Sequence, residues 1–387
     1  MKKTIKGYEY KGKKVILRCD LNVPIENGII TDDTRIKESL NTINYLINED
    51  AKIIILSHLG KIKKEEDKLK NSLYPVYLRL KELLNTNVYF SNQTRGAELE
   101  EKVSNLKERE VLLIQNTRYE DIDGKKESSC DEELSRYWSS LGDIYINDAY
   151  GTSHRRHASN VGISKLLPSA LGFLMEKEIT KLDEIMNENT HPFTVIMGGK
   201  KISDKTLVIE NLIDKCDKIL VGGGMCFTFL KSLNINVGSS IIDNENLDFC
   251  KNILNKYSNK IVLPIDIVTS NKEIKDINNL NNDDVGFDIG PKTIELFKSF
   301  LKDSKRVVIN GPMGVFEEES FSKGTNEIYK CLAENNIKTL VGGGDSAASV
   351  NLLGYEKSFF HISTGGGATL DYLSGKKLPG IEAIEEK

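Results

Sequence analysis

The stretch TVIMGGKKISDKTLVIENL, residues 194–212, decides the fold. An apolar run, Val195-Ile196-Met197, stops at Gly198-Gly199. Lys200 and Lys201 follow, then Lys205, and Leu207, Val208, Leu212 and Ile213 return at helical spacing. Strand, glycine turn and helix make the repeating unit of an α/β protein. A surface loop would carry the three lysines for solubility. A phosphate site would carry them for chemistry, because the start of a helix attracts anions.

Working outward, the same unit recurs. KILVGGG, KIVLPIDIV, RVVING, KTLVGGG and FFHISTGGG each read as a strand ending in glycine or polar residues. The first half shows it too. KKVILRC, KIIILS, NVYF, EVLLIQ and DIYIND read as strands, and the segments beginning TRIKES, YPVYLR and EELSRY as helices. The alternation predicts parallel sheets covered by helices. Between the two series, residues 172–189 form an amphipathic helix pattern through Phe173, Leu174, Ile179, Leu182 and Ile185, ended by Asn-Thr-His-Pro. The expected architecture is α/β, with two doubly wound parallel-sheet domains joined by this helix as a stiff hinge.

Bulk properties agree with two domains: 387 residues, 39% hydrophobic and 28% charged. A net charge of −4 argues against a general nucleic-acid binder. The six cysteines, among them Cys19, Cys130 and Cys331, show no metal-ligand spacing and read as reduced thiols of a cytoplasmic protein. No signal peptide and no membrane-length apolar run is read.

Four glycine clusters follow strands in the second half: Gly198-Gly199, Gly222-Gly223-Gly224, Gly342-Gly343-Gly344 and Gly365-Gly366-Gly367. One alone would fit a tight turn. Four on one edge favour a ligand surface, where glycines let N–H groups approach phosphate. There is no Walker motif, no dinucleotide fingerprint and no protein-kinase signature, so a nucleotide would be held by another design. The first half supplies Arg18, Asp20, Asn22, Arg35, His58, Lys61, Arg118, His154, Arg155, Arg156 and His157 at or near strand ends. Such a set suits a small, highly anionic substrate.

LRCDLNVPIENGIITDDTRIKESL, SHLGK, NTRYE, NDAYGTSHRRHASNVG, GGKKISDK, FDIGPKT, NGPMGVFE, VGGGDSAASV and STGGGATLDYLSGKKLPG stand in the order seen in phosphoglycerate kinase, and the chain resembles that family from first strand to last helix. The resemblance implies a monomeric, hinge-bending glycolytic enzyme that moves a phosphoryl group between 1,3-bisphosphoglycerate/ADP and 3-phosphoglycerate/ATP with Mg²⁺. It implies residues 1–171 as the 3-phosphoglycerate domain, 172–189 as hinge, 190–375 as nucleotide domain, and 376–387 as a tail packing back on the first domain.

Carried over by motif, Asp20 and Asn22 resemble the glycerate contacts. Arg35 resembles the arginine at the reacting carboxyl. His58, Lys61, Arg118 and Arg155 resemble the clamp on the 3-phosphate. Lys201 matches the lysine that follows the moving phosphoryl group, and Lys205 the one on nucleotide phosphates. Gly286, Asn310 and Glu317 resemble nucleoside contacts, and Gly199, Gly222, Gly223, Gly342, Gly343 and Gly344 the surrounding glycine edge. Asp345 resembles the Mg²⁺-linked aspartate, with Ser346 at the adjacent phosphate contact. Gly365 and Gly366 open the helix that faces the moving group. The chain departs from the family's usual residues at Lys61 (usually Arg), Ile62 (Pro), Gln115 (Glu), Lys200 (Ala), Ile309 (Trp) and Ser346 (Thr). The alternatives are a non-catalytic phosphate-binding homologue and a nicotinamide-dependent oxidoreductase. The intact Arg35, Lys201, Lys205 and Asp345 weigh against the first, and the missing fingerprint against the second.

Overall fold

A computed structural model describes residues 2–387. The chain divides into two compact units, one running up to Thr180 together with Lys377–Lys387, the other Lys181–Lys376. The first contains a six-stranded sheet built from β1 (Lys14–Cys19), β2 (Lys52–Leu56), β3 (Val88–Ser91), β4 (Val111–Ile114), β5 (Ile144–Asp148) and β6 (Ser169–Leu171). Its order is β3-β4-β2-β1-β5-β6, and every pairing is parallel. Val15 of β1 stands in register with Ile53 on one side and Ile144 on the other. Five of the six β1 residues are buried, as a strand covered on both faces requires. Leu17, Ile53, Leu113 and Ile146 share a core with Ile36, Ile43 and Leu46 of the helix Thr34–Asn48.

The second unit repeats the plan with β7 (Phe193–Met197), β8 (Lys218–Val221), β9 (Ile261–Val262), β10 (Arg306–Asn310), β11 (Lys338–Gly342) and β12 (His361–Ile362). The order is β9-β8-β7-β10-β11-β12, again all parallel. Chain order reverses between β7 and β10, and in the first sheet around β1. Ligands of open α/β sheets bind beyond the strand ends at such points.

Three features differ from the sequence reading, the first being the short sixth strand Ser169–Leu171 of the first sheet. KIVLPIDIV is not one strand. Pro264 cannot donate to a ladder, and the chain leaves the parallel sheet after Val262 and forms Asp266–Thr269 in a separate antiparallel sheet with Ile274–Asp276 and Gly286–Ile289. The buried Asp266 carboxylate there accepts N–H groups of Lys292 (3.0 Å) and Thr293 (2.7 Å), at the start of the helix Pro291–Leu301. A hairpin, Ile25–Glu26 with Ile29–Ile30, also lies outside the parallel plan.

The helix Phe173–Asn187 is charge-matched at both ends. At its start, Asp148 Oδ1 accepts from Leu174 N (2.9 Å) and Met175 N (3.2 Å), and Thr42 Oγ1 accepts from Phe173 N (3.0 Å). Near its end, Arg306 donates to the carbonyls of Ile185 and Thr190, and Lys338 pairs with Glu184 and Glu188. The tail returns to the first unit: Asn147 Nδ2 donates to Gly380 O (3.1 Å), and Lys3 N to Glu385 O (2.8 Å). No helix among the described residues is long and apolar enough to cross a membrane.

Candidate active site

Parallel strands end on one edge, so the residues after β1, β2 and β4 are neighbours. In the first unit Asp20 follows β1, and its Oδ2 lies 2.5 Å from Arg35 Nη1, in the first turn of Thr34–Asn48. Asn22 Oδ1 accepts the N–H of Gly60 (2.8 Å), and Arg118 Nη1 donates to Gly60 O (2.5 Å). Asn116 ties this edge together. Its amide donates to Leu59 O (2.7 Å) and Asn71 O (2.8 Å), and its oxygen accepts from Leu59 N and Arg118 N, both at 3.1 Å. Gln115 is satisfied by donating to Ser72 Oγ (3.0 Å) and accepting from Leu73 N (2.9 Å). This accounts for an amide at that position.

A buried polar layer lies beneath. Arg18, fully buried, donates from Nε to Ser159 Oγ (2.9 Å), and its Nη2 lies 3.2 Å from His58 Nδ1. A guanidinium has only donors, so Nδ1 must accept and the imidazole is neutral with its proton on Nε2. Burial, then Arg18 and Arg118, hold His58 well below the ordinary histidine range. The sequence reading counted His58 with the cationic clamp; here it offers a hydrogen bond and no charge. Ser159 Oγ donates to the buried Glu127 Oε1 (2.5 Å), and His157, pushed down to about 3 chiefly by burial, stands 3.7 Å from the same oxygen.

Above this layer the cations lack counter-charges. Among the described residues Arg118, Arg155 and Lys61 form no ion pair. Arg118 Nε is buried without a hydrogen-bond partner, and burial followed by the field of Arg155 lowers the guanidinium's proton affinity. Arg155 and Lys61 are exposed. Such a cluster is completed by an anion.

In the second unit a cavity of about 400 Å³ opens at the strand ends. Ile241, Val285, Phe287, Val315 and Phe316 give it apolar walls, and Phe287 is braced edge-on by Phe321 at 5.0 Å between ring centres. Gly199, Gly223, Gly286, Glu317 and Asp345 also line it. Lys205 stands beside it: its ammonium lies 3.6 Å from where a Cβ on Gly199 would sit. Burial lowers the proton affinity of Lys205, opposed by Asp204 and Asp345. The apolar wall was not read as such from the sequence, because its residues are ordinary hydrophobics from three separate stretches of chain.

The glycines act differently from the sequence reading. The N–H groups of Gly198, Gly199, Gly222 and Gly223 are taken by the carbonyls of Asn310, Pro312, Met197 and Met313 at 2.8–3.0 Å. A Cβ on Gly198 would lie 2.0 Å from Pro312 O. These two of the four clusters interlock backbones rather than offer N–H groups. Asn310 and Ser346 are buried and do not line the cavity. Asn310 Nδ2 donates to Gly342 O (3.2 Å), and Ser346 Oγ accepts from Gly311 N (2.6 Å). They fix the turn after β10 against Gly342–Gly343. Gly344 and Asp345 begin the helix Gly344–Leu353 and are exposed, Gly365 and Gly366 precede the helix Gly367–Leu373, and Lys201 is exposed with its charge felt by Asp243.

A cation cluster for a small anion and an apolar, nucleotide-sized cavity flanked by lysine and aspartate define a two-unit α/β phosphotransferase. The phosphoglycerate kinase family model matches residues 5–376. Phosphoglycerate kinases of Enterococcus faecalis and Fusobacterium nucleatum are 51% and 50% identical to the chain, each match covering all of both sequences. The solved structure of phosphoglycerate kinase from Coxiella burnetii aligns with a TM-score of 0.89 at 32% identity, over 99% of this chain and 98% of that one. The chain belongs to the phosphoglycerate kinase family and is a phosphoryl-transfer enzyme of glycolysis. Neither the non-catalytic nor the oxidoreductase alternative gains support from these matches.

Proposed function

We propose that the chain transfers a phosphoryl group between 1,3-bisphosphoglycerate and ADP, reversibly, giving 3-phosphoglycerate and ATP. The observation that carries this reading is the pair Arg118 and Arg155, without ion-pair partners beside neutral His58, with exposed Lys61 next to the Gly60 carbonyl that Arg118 holds. It suits a phosphate remote from the reacting carboxyl. Arg118 supplies a fork, Lys61 and Arg155 supply charge, and His58 Nε2–H donates. Arg35, oriented by Asp20, meets the carboxyl end, and Asn22 the glycerate hydroxyl region.

In the second unit the apolar cavity takes the nucleoside, Gly286 packing against it and Glu317 at its rim. Lys205 takes nucleotide phosphates, and Lys201 follows the group in transit with the Gly365–Gly366 turn. Asn310, Ser346 and the glycines Gly222, Gly342, Gly343 and Gly344 shape this edge from behind or beside it. No group of three or more His, Cys, Asp or Glu among the described residues could hold a metal by itself. A single exposed Asp345 fits Mg²⁺, which takes one or two carboxylates and completes its shell with phosphate oxygens and water. Held there, Mg²⁺ would neutralise charge on the nucleotide phosphates.

Neither direction needs a general base, since a carboxylate and an ADP phosphate are already ionised nucleophiles. Catalysis is positioning and charge stabilisation. Direct in-line transfer requires reacting atoms at about 3–3.5 Å, so substrates held on separate units must be brought together. We read the helix Phe173–Asn187 as the hinge for that closure, which also excludes water from the acyl phosphate. A cytoplasmic monomer is the expected form. The test is a coupled assay for ATP-dependent phosphorylation of 3-phosphoglycerate. Turnover requiring both substrates and Mg²⁺ supports the reading, and ATP turnover indifferent to 3-phosphoglycerate overturns it.

A further inference from the structure

Lys200 was left without a role by the sequence and by the transfer chemistry. It lines the cavity of about 400 Å³, and it is the one cation among the lining residues, which include the carboxylates of Glu317 and Asp345. Its backbone is pinned. Gly199 N donates to Pro312 O (2.9 Å) and Gly199 O accepts from Met225 N (3.1 Å). A Cβ on Gly224 would lie 2.9 Å from Lys200 O. Its ammonium forms no ion pair with any described residue and the residue is exposed. The neighbouring lysines are different: Lys201 acts on Asp243, and Lys205 is opposed by Asp204 and Asp345.

The cavity has a direction. One part is the apolar wall of Ile241, Val285, Phe287, Val315 and Phe316; another is the Gly199–Asp345 side, beside which Lys205 stands. Lys200 directly follows Gly199, and its backbone borders Gly224 beside Ile241, so it stands where the two parts meet. A polyanion entering there meets two fixed carboxylates, whose repulsion in a partly enclosed cleft is stronger than in water. We propose that Lys200 is a further nucleotide-specificity residue, binding the diphosphate of the nucleotide in its ground state and discriminating nucleotide from nucleoside. The proposal rests on the nucleotide reading of this cavity. It separates Lys200 from Lys201: one sets affinity, the other follows the group in transit.

The experiment is calorimetric binding of ADP and of adenosine to the full chain at low and moderate salt, for wild type, Lys200→Ala and Lys200→Arg, with turnover measured beside it. Lys200→Ala is expected to weaken ADP about fivefold, the range of a solvent-accessible ion pair. It should also flatten the salt dependence of ADP binding and leave adenosine affinity as in wild type. Lys200→Arg should restore ADP binding, and the KM for ADP should rise in the alanine variant while turnover at saturation stays. Equal weakening of adenosine and ADP would overturn the proposal by making Lys200 part of the nucleoside wall. Unchanged ADP binding, or a fall in turnover with KM intact, would overturn it as well. The underlying nucleotide reading fails separately, if wild type itself binds no ADP.

Discussion

Arg18 Nη2 lies 3.2 Å from His58 Nδ1, and that contact fixes both the charge and the tautomer of the imidazole. A histidine beneath an anion site is easily taken for a cation or a base, and here it is neither. The NMR resonances of the His58 ring should stay flat between about pH 8 and about pH 5, where an ordinary histidine titrates. A titration near the unperturbed value would contradict the buried, neutral assignment. The sign for stability follows. Because the folded value is depressed, His58 stabilises the fold above the unfolded value and that contribution is lost as pH falls.

Arg118 carries the largest expected effect on the anion. Its Nε is buried and unpartnered, and it forms no ion pair, with Asp121 and Glu127 acting on it only at longer range. Removing a charged hydrogen-bond donor costs about 1.5–3 kcal/mol, so Arg118→Ala should raise the KM for 3-phosphoglycerate by roughly tenfold to a hundredfold. Arg118→Lys should recover only part, because a lysine lacks the planar fork. Steady-state kinetics decides it, and full recovery by lysine would show that charge alone suffices.

Lys61 tests the same point in reverse. It is exposed and presents a point charge on a flexible stem. Lys61→Arg should lower the KM for 3-phosphoglycerate several-fold, about 1 kcal/mol on the scale of one net hydrogen bond, with kcat little changed. If KM stays put while Lys63→Ala raises it, the clamp lysine is Lys63.

Much of this was legible in the chain and some was not, for physical reasons. Apolar runs such as Lys14–Cys19 and Lys52–Leu56 announce buried parallel strands because covered sheets leave no polar face. The three-residue strand Ser169–Leu171 and the break at Pro264 were missed, since a short strand has no period and KIVLPIDIV is apolar on both sides of its proline. Asp20, Arg35 and Arg118 were found because charged residues directly after a strand stand out. Arg18 was noticed as one more cation, but its place beneath the site was not, because its partners His58 and Ser159 lie 40 and 141 residues away. Of the four glycine clusters, the first two spend their N–H groups on neighbouring carbonyls, a use that sequence does not distinguish from meeting a phosphate.

Asp148 offers a stability test remote from the chemistry. One oxygen caps the helix Phe173–Asn187, the other is buried without a partner, and burial pushes the carboxyl up to about 6. A raised folded value means the folded state binds the proton more tightly, so ionisation costs stability as pH rises from the unfolded value to about 6. Asp148→Asn keeps the accepting oxygen and should remove that pH dependence without lowering the thermal midpoint near neutrality. Asp148→Ala should lose the cap, about 1 kcal/mol, seen as a lower midpoint by calorimetry. Equal losses in both variants would show that the charge itself matters.

The measurement that bears most directly on transfer by positioned charge is kcat of Lys201→Ala at saturating ATP, Mg²⁺ and 3-phosphoglycerate, beside wild type. Lys201 is exposed after the Gly198-Gly199 turn, free to follow a moving phosphoryl group. Loss of a comparable transition-state cation costs roughly 10³–10⁵ in rate, so kcat should collapse while both KM values move little. A variant that keeps wild-type kcat and only raises the KM for ATP would make Lys201 a ground-state binding residue and contradict the account.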